Sequence, residues 1–416
     1  MSFTLRNNSS GKEFEFPTIQ GKKGNNGIDF SNLYLSTGYY SYDPGLKSTA
    51  TCKSSICFID GQQGILEYRG YNICDLIKKH DFLDIAYLLI FKKFPSPNIK
   101  EEIKNYIIEE QKHLDYLFPI LKFLNSSNAP IDNLKILYSH YTAHNKKENI
   151  DKLIFKILGA MPLLIYMAYS KKPPAFTDSD CGKCFLMNYF ECTSINPVIV
   201  NTFQKFLILH AEHEQNASTS AVRVIGSAGN SPLNSIFSGM LALEGTRHGG
   251  ANEAVLRQLK AIRDSGKTVK EFVEDAKTSG QRISGLGHRV YKSYDPRAAI
   301  AKKYLQKIME RADTLKLPAD ERALFDVATE LEKIALNDEY FVSRHLYPNV
   351  DFYTGLIYRA IGFDPSMFTT LFALGRIPGW IAQYREMLAD PNTKIGRPRQ
   401  VYTGYTERDY TPIDRR

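Results

Sequence analysis

Seven ionisable side chains lie beside glycines, prolines or predicted helix ends, where a folded chain can build a reactive site. The stretch HAEHEQNAST, residues 210–219, ends an apolar helical pattern in two histidines and two acids. Two glycine-rich interruptions follow, EGTRHGGAN at residues 244–252 and SGLGHRVY at residues 284–291, and each holds a histidine against glycines. The seven side chains are His213, His248, His288, Arg297, Asp351, Arg376 and Arg397.

Three histidines, one acid and three arginines predict a small polyanionic substrate and a proton transfer. An arginine fork matches the two oxygens of a carboxylate, and glycines let backbone N–H groups approach a ligand closely. Asp351 precedes an apolar helix, so it is either an N-cap or a base fixed at a helix entrance. The simpler interpretation of residues 210–219 is a helix end that reaches solvent, and loop histidines are more often merely exposed.

The composition is that of a soluble globular protein, with 43% hydrophobic and 24% charged residues. A chain of 416 residues exceeds what one core usually organises, so we expect two or more domains. The net charge of +8 suits anionic ligands. Because the basic residues are scattered along the chain, nucleic-acid binding is disfavoured.

Three local features have simple interpretations. The polar N-terminus is no signal peptide, which favours a cytoplasmic protein without a disulfide framework. Cys181 and Cys184 form a lone CxxC that lacks a second pair of zinc ligands. The apolar run at residues 154–169 contains Lys156 and Pro162 and is too short to span a bilayer, so we expect a core helix and no membrane contact.

The hydrophobic periodicity predicts a mainly α protein with a small β-rich N-terminal region. Residues 1–30 and residues 49–68 are each predicted to form a hairpin, the second around Asp60-Gly61. No alternating β-α-β pattern and no fixed-period repeat is visible. Helices are predicted at residues 72–80, 82–92, 99–112, 114–124, 132–143, 148–170, 197–213, 218–226, 232–243, 252–264, 268–278, 297–312, 320–337, 352–361, 365–374 and 378–389.

Six motifs in the chain resemble, in the same order, those of citrate synthase. An earlier segment from residue 36, STGYYSYDPGLKSTATCKSSICFIDGQQGILEYRGY, also resembles this family, specifically its longer bacterial type with an added N-terminal β region. The resemblance runs from about residue 30 to the C-terminus and is weakest from about 95 to 195. The six motifs are LHAEHEQNASTS, RHGGANEAV, GLGHRVYKSYDPR, PNVDFYTG, LFALGRIPGW and IGRPRQVYTG.

The resemblance implies a two-domain helical fold with three parts. A β-rich region would cover residues 1–65, and a large helical domain would comprise residues 66–250 and 363–416. A small helical domain, residues 251–362, would carry a coenzyme A loop and the catalytic aspartate. Because the expected site residues come from both helical domains, the resemblance also implies that the domains close over the substrates.

The resemblance further implies the condensation of acetyl-CoA with oxaloacetate and water to give citrate and CoA. His248 would polarise the thioester carbonyl, Asp351 would remove a methyl proton, and His288 would hydrogen-bond the oxaloacetate carbonyl. A helix that begins near Asn252 disfavours imidazolium, which keeps His248 a neutral donor. The remaining implied contacts are His213, Arg297, Arg376 and Arg397 on oxaloacetate, Phe372 lining the pocket, and Gly285, Leu286 and Gly287 offering backbone groups to the CoA adenine.

The implied partners are the two substrates and a second copy of the chain. The resemblance implies no permanently bound cofactor, with CoA only as substrate and product, and no metal. It implies a homodimer in which Arg397 reaches the neighbouring subunit's site, and it allows a hexamer of three such dimers. The bacterial type is often inhibited by NADH at a site in residues 95–195, where this sequence departs from the expected pattern.

Three other functions stay open on the sequence alone. A close relative condenses propionyl-CoA into 2-methylcitrate, and its sequences commonly resemble HEFNAST, whereas Gln215 makes this chain HEQNAST. His210, His213 and His248 could instead form a zinc site in a binding module, although no fourth ligand motif is apparent. A basic nucleic-acid-binding module is the third alternative.

Overall fold

The chain packs as two compact units in a computed structural model that describes residues 1–145, 150–311 and 319–415. The first unit comprises Met1–Lys53 and Ile395–Arg416, and the second comprises Ser54–Lys394. The mainly α fold that the sequence predicts is confirmed.

The first unit contains a three-stranded antiparallel sheet, one short helix and the C-terminal tail. The sheet has the order β1-β2-β3, with Ser2 opposite Pro17 and Arg6 opposite Glu13. Phe16 is buried and packs edge-on against Phe30. The elements are β1 (Ser2–Arg6), β2 (Glu13–Ile19), β3 (Gly27–Ile28) and α1 (Leu33–Thr37), with a 3₁₀ turn at Ile413–Arg415.

The second unit contains a small sheet followed by helices. The sheet is antiparallel in the order β4-β5-β6, with Cys57 opposite Tyr68 and Asp60 opposite Ile65. Asp60 accepts the N–H groups of Gln62 and Gln63 and thereby closes the turn between the first two strands. The strands are β4 (Cys57–Asp60), β5 (Ile65–Tyr68) and β6 (Tyr71–Asn72).

Seventeen helices are described in residues 54–145, 150–311 and 319–394, and many of them begin with a side-chain N-cap. Ser96, Asn196, Ser231 and Asp295 each cap a helix whose first residue is proline. The helices are α2 (Ile73–Lys79), α3 (Phe82–Phe91), α4 (Pro97–Lys112), α5 (Phe118–Leu121), α6 (Pro130–His144), α7 (Ile150–Ser170), α8 (Cys181–Tyr189), α9 (Pro197–His210), α10 (Ala217–Ser227), α11 (Pro232–Glu244), α12 (Ala251–Asp264), α13 (Val269–Ser279), α14 (Pro296–Met309), α15 (Ala319–Asn337), α16 (Glu339–Val342), α17 (Val350–Ile361) and α18 (Phe368–Ala389).

Helix α18 is the centre of this unit. It packs against α3, α7, α9, α10 and α11, and its Trp380 is completely buried. A second group of helices, α12 to α17, packs mainly within itself. Helix α7 is long and apolar enough to cross a membrane by length and composition, but 78% of its most apolar window is buried inside the protein. It is therefore a core helix, as its sequence predicts.

Several predicted elements differ from the structure. The helix predicted at 197–213 ends at His210, and the one predicted at 114–124 is a 3₁₀ turn, Asp115–Leu117, followed by the short α5. The break predicted between 374 and 378 is wrong, because α18 continues through it with Pro378 inside. Helices α1, α8 and α16 were not predicted. Residues 148, 149 and 312, at the ends of two predicted helices, lie outside the described residues.

Candidate active site

The loop between α9 and α10 places His213 at the site. His213 lies beyond the end of α9, so it does not share a helix face with His210 as the spacing predicts. Its ring centroid lies 5.5 Å from that of His288 and 5.8 Å from that of Tyr291. Burial, followed by the charge of Arg297, holds the pKa of His213 well below its usual value, so the ring is neutral. Its Nε2 has no hydrogen-bond partner in the described part of the chain.

The tautomer of His248 is set by the first turn of α10. The backbone N–H of Ser218 donates to His248 Nε2 at 3.3 Å, and the Ser218 hydroxyl lies 2.9 Å from the same nitrogen. Because a backbone N–H can only donate, Nε2 is an acceptor and the ring proton is on Nδ1. Burial, reinforced by Arg376, lowers the pKa of His248 to about 4. His248 is therefore a neutral ring that carries its proton on Nδ1.

His288 is held as the opposite tautomer. Its Nδ1 accepts the backbone N–H groups of Val290 at 3.0 Å and Tyr291 at 3.1 Å, so the ring proton is on Nε2. Burial lowers the pKa of His288 to about 4, and Arg297 acts in the same direction. The turn between β4 and β5 supports this segment, since Gly61 accepts the N–H of Lys292 at 2.8 Å.

Arg297 is fixed by a carboxylate that is not among the site residues predicted from the sequence. Asp295 caps α14 and also receives two hydrogen bonds from the Arg297 guanidinium, at 3.1 Å and 2.8 Å. The second oxygen of Asp295 accepts the N–H of Val350 at 3.3 Å, at the start of α17. Asp295 therefore ties the beginnings of two helices together. The Asp-Pro pair before a predicted helix was its only signal in the sequence.

Asp351 is the second residue of α17, and it does not cap that helix. Asn349 is the N-cap, and its side-chain oxygen accepts the N–H groups of Asp351 at 3.0 Å and Phe352 at 3.3 Å. The N-cap interpretation of Asp351 is therefore wrong, and its carboxylate is available for chemistry. Burial raises the pKa of Asp351 to about 6, against the opposing effect of Arg297. A carboxylate with that pKa is largely ionised at neutral pH and is a stronger base than an exposed aspartate.

The glycine loop before His288 is joined to the segment before Asp351. Gly285 and Gly287 have φ of +83° and +81°, a conformation that side chains rarely adopt. The Gly287 N–H donates to Tyr347 O at 2.8 Å, and the Asn349 N–H donates to Gly285 O at 2.9 Å. Asn349 Nδ2 also donates to Gly287 O at 2.9 Å. These backbone groups thus connect the loop that carries His288 with the helix that carries Asp351, and the CoA contact expected of Gly285, Leu286 and Gly287 stays a prediction.

Helix α18 supplies Phe372 and Arg376. Arg376 is 1% exposed, its Nε donates to His210 O, and its guanidinium lies 4.9 Å from the centre of the Phe372 ring. Its Nη1 has no hydrogen-bond partner in the described part of the chain. The Phe372 ring also lies 6.3 Å from that of His248. Burial lowers the pKa of Arg376, but a guanidinium stays charged at neutral pH, so a positive group with a free donor lies beside His248.

Arg397 belongs to the other compact unit, where its side chain is exposed. Its role in this site stays a prediction. The other six expected ionisable groups all belong to the unit formed by Ser54–Lys394, and the ring contacts and electrostatic interactions described above link them.

The zinc alternative finds little support in this geometry. Within residues 1–145, 150–311 and 319–415, no three His, Cys, Asp or Glu side chains are arranged to hold a metal ion. His210 directs Nδ1 to Phe206 O at 2.8 Å, and His248 directs Nε2 to Ser218. Cys181 and Cys184 are buried in α8 as free thiols, and burial raises the pKa of both.

Comparison with known proteins points to one family. The family profile described as "Citrate synthase, C-terminal domain" matches residues 45–399. Citrate synthase 1 of Mycobacterium tuberculosis is 42% identical over 427 residues, covering 98% of this chain and 97% of that protein. The citrate synthase of Corynebacterium glutamicum is also 42% identical, covering 98% of this chain and 96% of that protein.

Solved structures agree with the sequence matches. Citrate synthase from Thermoplasma acidophilum, in a ternary complex with carboxymethyl coenzyme A and oxaloacetate, matches with a TM-score of 0.81 at 29% identity, covering 90% of this chain and 100% of that one. Citrate synthase from Thermotoga maritima matches with a TM-score of 0.77 at 31% identity, covering 90% of this chain and 99% of that one.

The fold and the site define a helical enzyme that binds a polyanion and moves a proton. The chain belongs to the citrate synthase family. Its activity is that of a citrate (Si)-synthase, an acyltransferase that converts the acyl group to an alkyl group on transfer. Acetyl-CoA, oxaloacetate and water give citrate and CoA, at the entry to the tricarboxylic acid cycle.

Proposed function

We propose that this chain performs the condensation with Asp351 as the base and with His248 and His288 as neutral hydrogen-bond donors. The observation that carries the proposal is the pair of opposite histidine tautomers. Backbone N–H groups occupy Nε2 of His248 and Nδ1 of His288, which leaves one N–H on each ring for a substrate oxygen. Two neutral donors beside a carboxylate of raised pKa suit the formation of an enolate and its attack on a ketone.

The proposed steps follow from these groups. Asp351 removes a proton from the acetyl methyl group while the Nδ1–H of His248 donates to the thioester oxygen, where negative charge develops. The new carbanion attacks the oxaloacetate ketone, whose oxygen receives a hydrogen bond from the Nε2–H of His288. That oxygen becomes the hydroxyl of citryl-CoA by taking up one proton, which balances the proton that Asp351 removed. Water then cleaves the thioester of citryl-CoA and releases citrate and CoA. No step requires a permanently bound cofactor or metal, because the thioester supplies the activated acetyl group.

Oxaloacetate is a dicarboxylate, and the proposed contacts match its charge. Arg297 and Arg376 are buried and positively charged, and the side chains of His213 and Phe372 lie beside them. Arg397 would come from the partner subunit in a homodimer, and three dimers would form a hexamer. The backbone of Gly285, Leu286 and Gly287 would contact the CoA adenine. We place the enzyme in the cytoplasm, away from nucleic acid and membranes.

Packing supports one part of the domain division that the resemblance implies, namely the small helical domain. Helices α12 to α17, which lie within residues 251–362, pack mainly on each other. The β-rich region of residues 1–65 and the large helical domain of residues 66–250 and 363–416 would form the rest. His288, Arg297 and Asp351 belong to the small domain, so the proposed site is complete only when the two helical domains close. Closure would also exclude water from the enolate until condensation is finished.

The test is the release of free thiol from acetyl-CoA or propionyl-CoA in the presence of oxaloacetate. We expect a clearly higher kcat/KM with acetyl-CoA, and some propionyl-CoA activity is tolerable because one methylene is worth only about 1–3 kcal/mol in a pocket. Equal or reversed values would favour the alternative, 2-methylcitrate synthesis. Gln215, which motivates the acetyl preference, donates from Nε2 to Gln383 Oε1 at 2.9 Å, so it would influence the pocket through α18.

A further inference from the structure

Glu212 is a buried carboxylate that none of the steps above uses. It lies in the loop after α9, one residue before His213, and is completely inaccessible to solvent. Its Oε1 accepts a hydrogen bond from Gln383 Nε2 at 3.0 Å. Its Oε2 has no hydrogen-bond partner in the described part of the chain. Burying a carboxylate is costly unless a charge compensates it, so the group needs an explanation.

The face of α18 that carries Arg376 is shaped to receive Glu212. Arg376, Gly379 and Gln383 lie on the same side of the helix, at spacings of three and four residues. A Cβ atom added to Gly379 would come within 2.4 Å of Glu212 Oε2 and 2.1 Å of Ala211 O, so only glycine lets this loop lie so close. Arg376 is the principal charge that favours the ionised form of Glu212, and Glu212 in turn is the first charge that favours protonated Arg376.

A chain of amide contacts fixes the orientation of Glu212. Gln383 donates to Glu212, and Gln383 Oε1 accepts hydrogen bonds from Gln215 Nε2 at 2.9 Å and Arg223 Nη1 at 3.0 Å. Because both of its neighbours donate to that oxygen, Gln383 must present its amide N–H to Glu212. The loop backbone is held as well, since the Tyr68 hydroxyl donates to Glu212 O at 3.0 Å.

We propose that Glu212 is a positioning residue of the oxaloacetate site, which balances the charge of Arg376 while the site is empty and takes up one proton from solvent when oxaloacetate binds. The inference rests on the proposed role of Arg376 in holding oxaloacetate. A dicarboxylate brought to Arg376 competes with Glu212 for the same positive charge. Two carboxylates that share one arginine repel each other, and protonation of the buried one relieves the repulsion.

A proton taken up by Glu212 can be distinguished from protons on neighbouring groups, because their pKa values differ. Burial raises the pKa of Glu212 to about 7, against the opposing effects of Arg376 and Gln383, whereas the pKa of Asp351 is about 6 and those of His248 and His288 are about 4. Burial raises the pKa of Cys57 well above its usual value. The titratable and charged groups that face Glu212 are Arg376 from α18, Cys57 from β4, Tyr68 from β5, Arg69 after that strand, and His213 and Glu214 from its own loop.

The pH dependence of oxaloacetate affinity follows from the proton that binding takes up. Below pH 7 Glu212 is already protonated in the empty site, so oxaloacetate affinity should not change with pH on its account. Above pH 7 the empty site has lost the proton that the complex keeps, so affinity should fall by up to about tenfold per pH unit. Calorimetry of oxaloacetate binding in two buffers of different ionisation enthalpy gives both the Kd and the number of protons taken up.

We expect the wild-type enzyme to take up close to one proton per site more than Glu212→Gln at pH 8, and this difference should almost vanish at pH 6. Glu212→Gln keeps an oxygen for Gln383 but cannot titrate, so it should bind without this proton and should exceed wild-type affinity about tenfold at pH 8. Glu110→Gln is the matched control, because Glu110 is a buried carboxylate of α4 that pairs with Lys156, and burial raises its pKa as well. This control should keep the wild-type pH dependence.

Two results would overturn the inference: no proton uptake by the wild-type enzyme at pH 8, or the same uptake by Glu212→Gln. Because the wild-type measurement alone can contradict the proposal, the test does not depend on whether Glu212→Gln folds. The proposed function fails differently. In that case the wild-type enzyme would not bind oxaloacetate at all, or Arg376→Leu would bind it as tightly as wild type.

Discussion

At the scale of single residues, the site depends on groups whose state is set by atoms from other segments. His248 takes its tautomer from Ser218, thirty residues earlier, and His288 takes its tautomer from two N–H groups that follow it. Trp380 Nε1 donates to the Ser218 hydroxyl at 3.3 Å and so holds that serine from α18. The chemistry of each histidine therefore depends on which ring nitrogen carries the proton as much as on the pKa of the ring.

Asp351→Asn tests the base directly. The amide keeps the shape of the carboxylate but cannot accept the methyl proton, so kcat should fall roughly 10²-fold or more. Oxaloacetate affinity should stay near that of wild type, because the arginines are untouched. Thiol release gives kcat and calorimetry gives the Kd. Asp338→Asn is the control, since Asp338 caps α16 and pairs with Lys277 without touching the site. A fully active Asp351→Asn would remove Asp351 from the mechanism.

The pH dependence of kcat/KM should report Asp351, because kcat/KM follows the pKa values of the free enzyme. Burial raises the pKa of Asp351 to about 6, so the active, ionised form is lost as pH falls through 6. We expect kcat/KM to decline toward tenfold per pH unit below pH 6. His248 and His288, with pKa values near 4, should add no second step between pH 5 and pH 7. A profile that stays flat down to pH 5 would contradict this assignment.

The sequence singled out the candidate site residues but not the groups that hold them in place. Histidines against glycines and arginines near helix ends were visible as a pattern, and the family resemblance assigned their roles. Asp295, Asn349 and Glu212 carry no such pattern, because a cap or a buried acid acquires its partner only when distant segments meet. Glu212 stands in the opening motif, yet its contact with Gln383 spans 171 positions of sequence.

At the scale of elements, α18 shows where sequence patterns mislead. Gly375, Pro378 and Gly379 indicate a break between two helices, but the structure has one helix there. An added Cβ at Gly375 would lie 3.0 Å from His210 Cβ, and at Gly379 it would lie 2.1 Å from Ala211 O. These glycines are therefore needed for close packing of α18 on the end of α9. A single sequence cannot distinguish a glycine that ends a helix from one that admits a neighbouring backbone.

Asn349 combines two functions that one pair of substitutions can separate. It caps α17 through its oxygen, and it donates from Nδ2 to Gly287 O. Asn349→Ala loses both and should cost about 1 kcal/mol of unfolding free energy from the cap alone. Asn349→Asp keeps the capping oxygen but has no donor for Gly287, so stability should recover while kcat/KM for acetyl-CoA stays low.

Urea unfolding and thiol release measure the two effects. Asn196→Ala is the matched control, because Asn196 caps α9 and is exposed. Asn196→Ala should lose a similar amount of unfolding free energy, with little change in kcat/KM. If Asn349→Asp instead has wild-type activity, the link between the glycine loop and α17 does not matter for catalysis.

At the scale of the whole molecule, the residues expected at the site are divided between the two compact units. Six of the seven ionisable groups belong to Ser54–Lys394, and Arg397 belongs with Met1–Lys53 and the tail. The tail from Ile395 is rich in proline, glycine and arginine, and its residues are exposed in the isolated chain. Such a segment is ordered in solution only if something binds it. In a two-fold dimer, each tail could bind the other subunit reciprocally.

Complementation between two inactive variants tests the shared site. Arg397→Leu and Asp351→Asn should each abolish activity when expressed alone. In a mixed dimer, one site would then combine both defects, while the other would have an intact Asp351 and an intact Arg397 from its partner. Differently tagged chains, co-expressed and purified through both tags, isolate these mixed dimers. Their activity should return to about half that of a wild-type dimer, because one of two sites is restored.

The same experiment distinguishes the alternative arrangement. If Arg397 served the site of its own chain, every site of the mixed dimer would carry one defect and the dimer would stay inactive. Arg408→Leu, at an exposed arginine of the same tail that lies over Tyr405, is the matched control and should be active alone. An active Arg408→Leu enzyme would show that an arginine of the tail can be lost without loss of activity. Restoration in the mixed dimer would then require that Arg397 crosses between subunits.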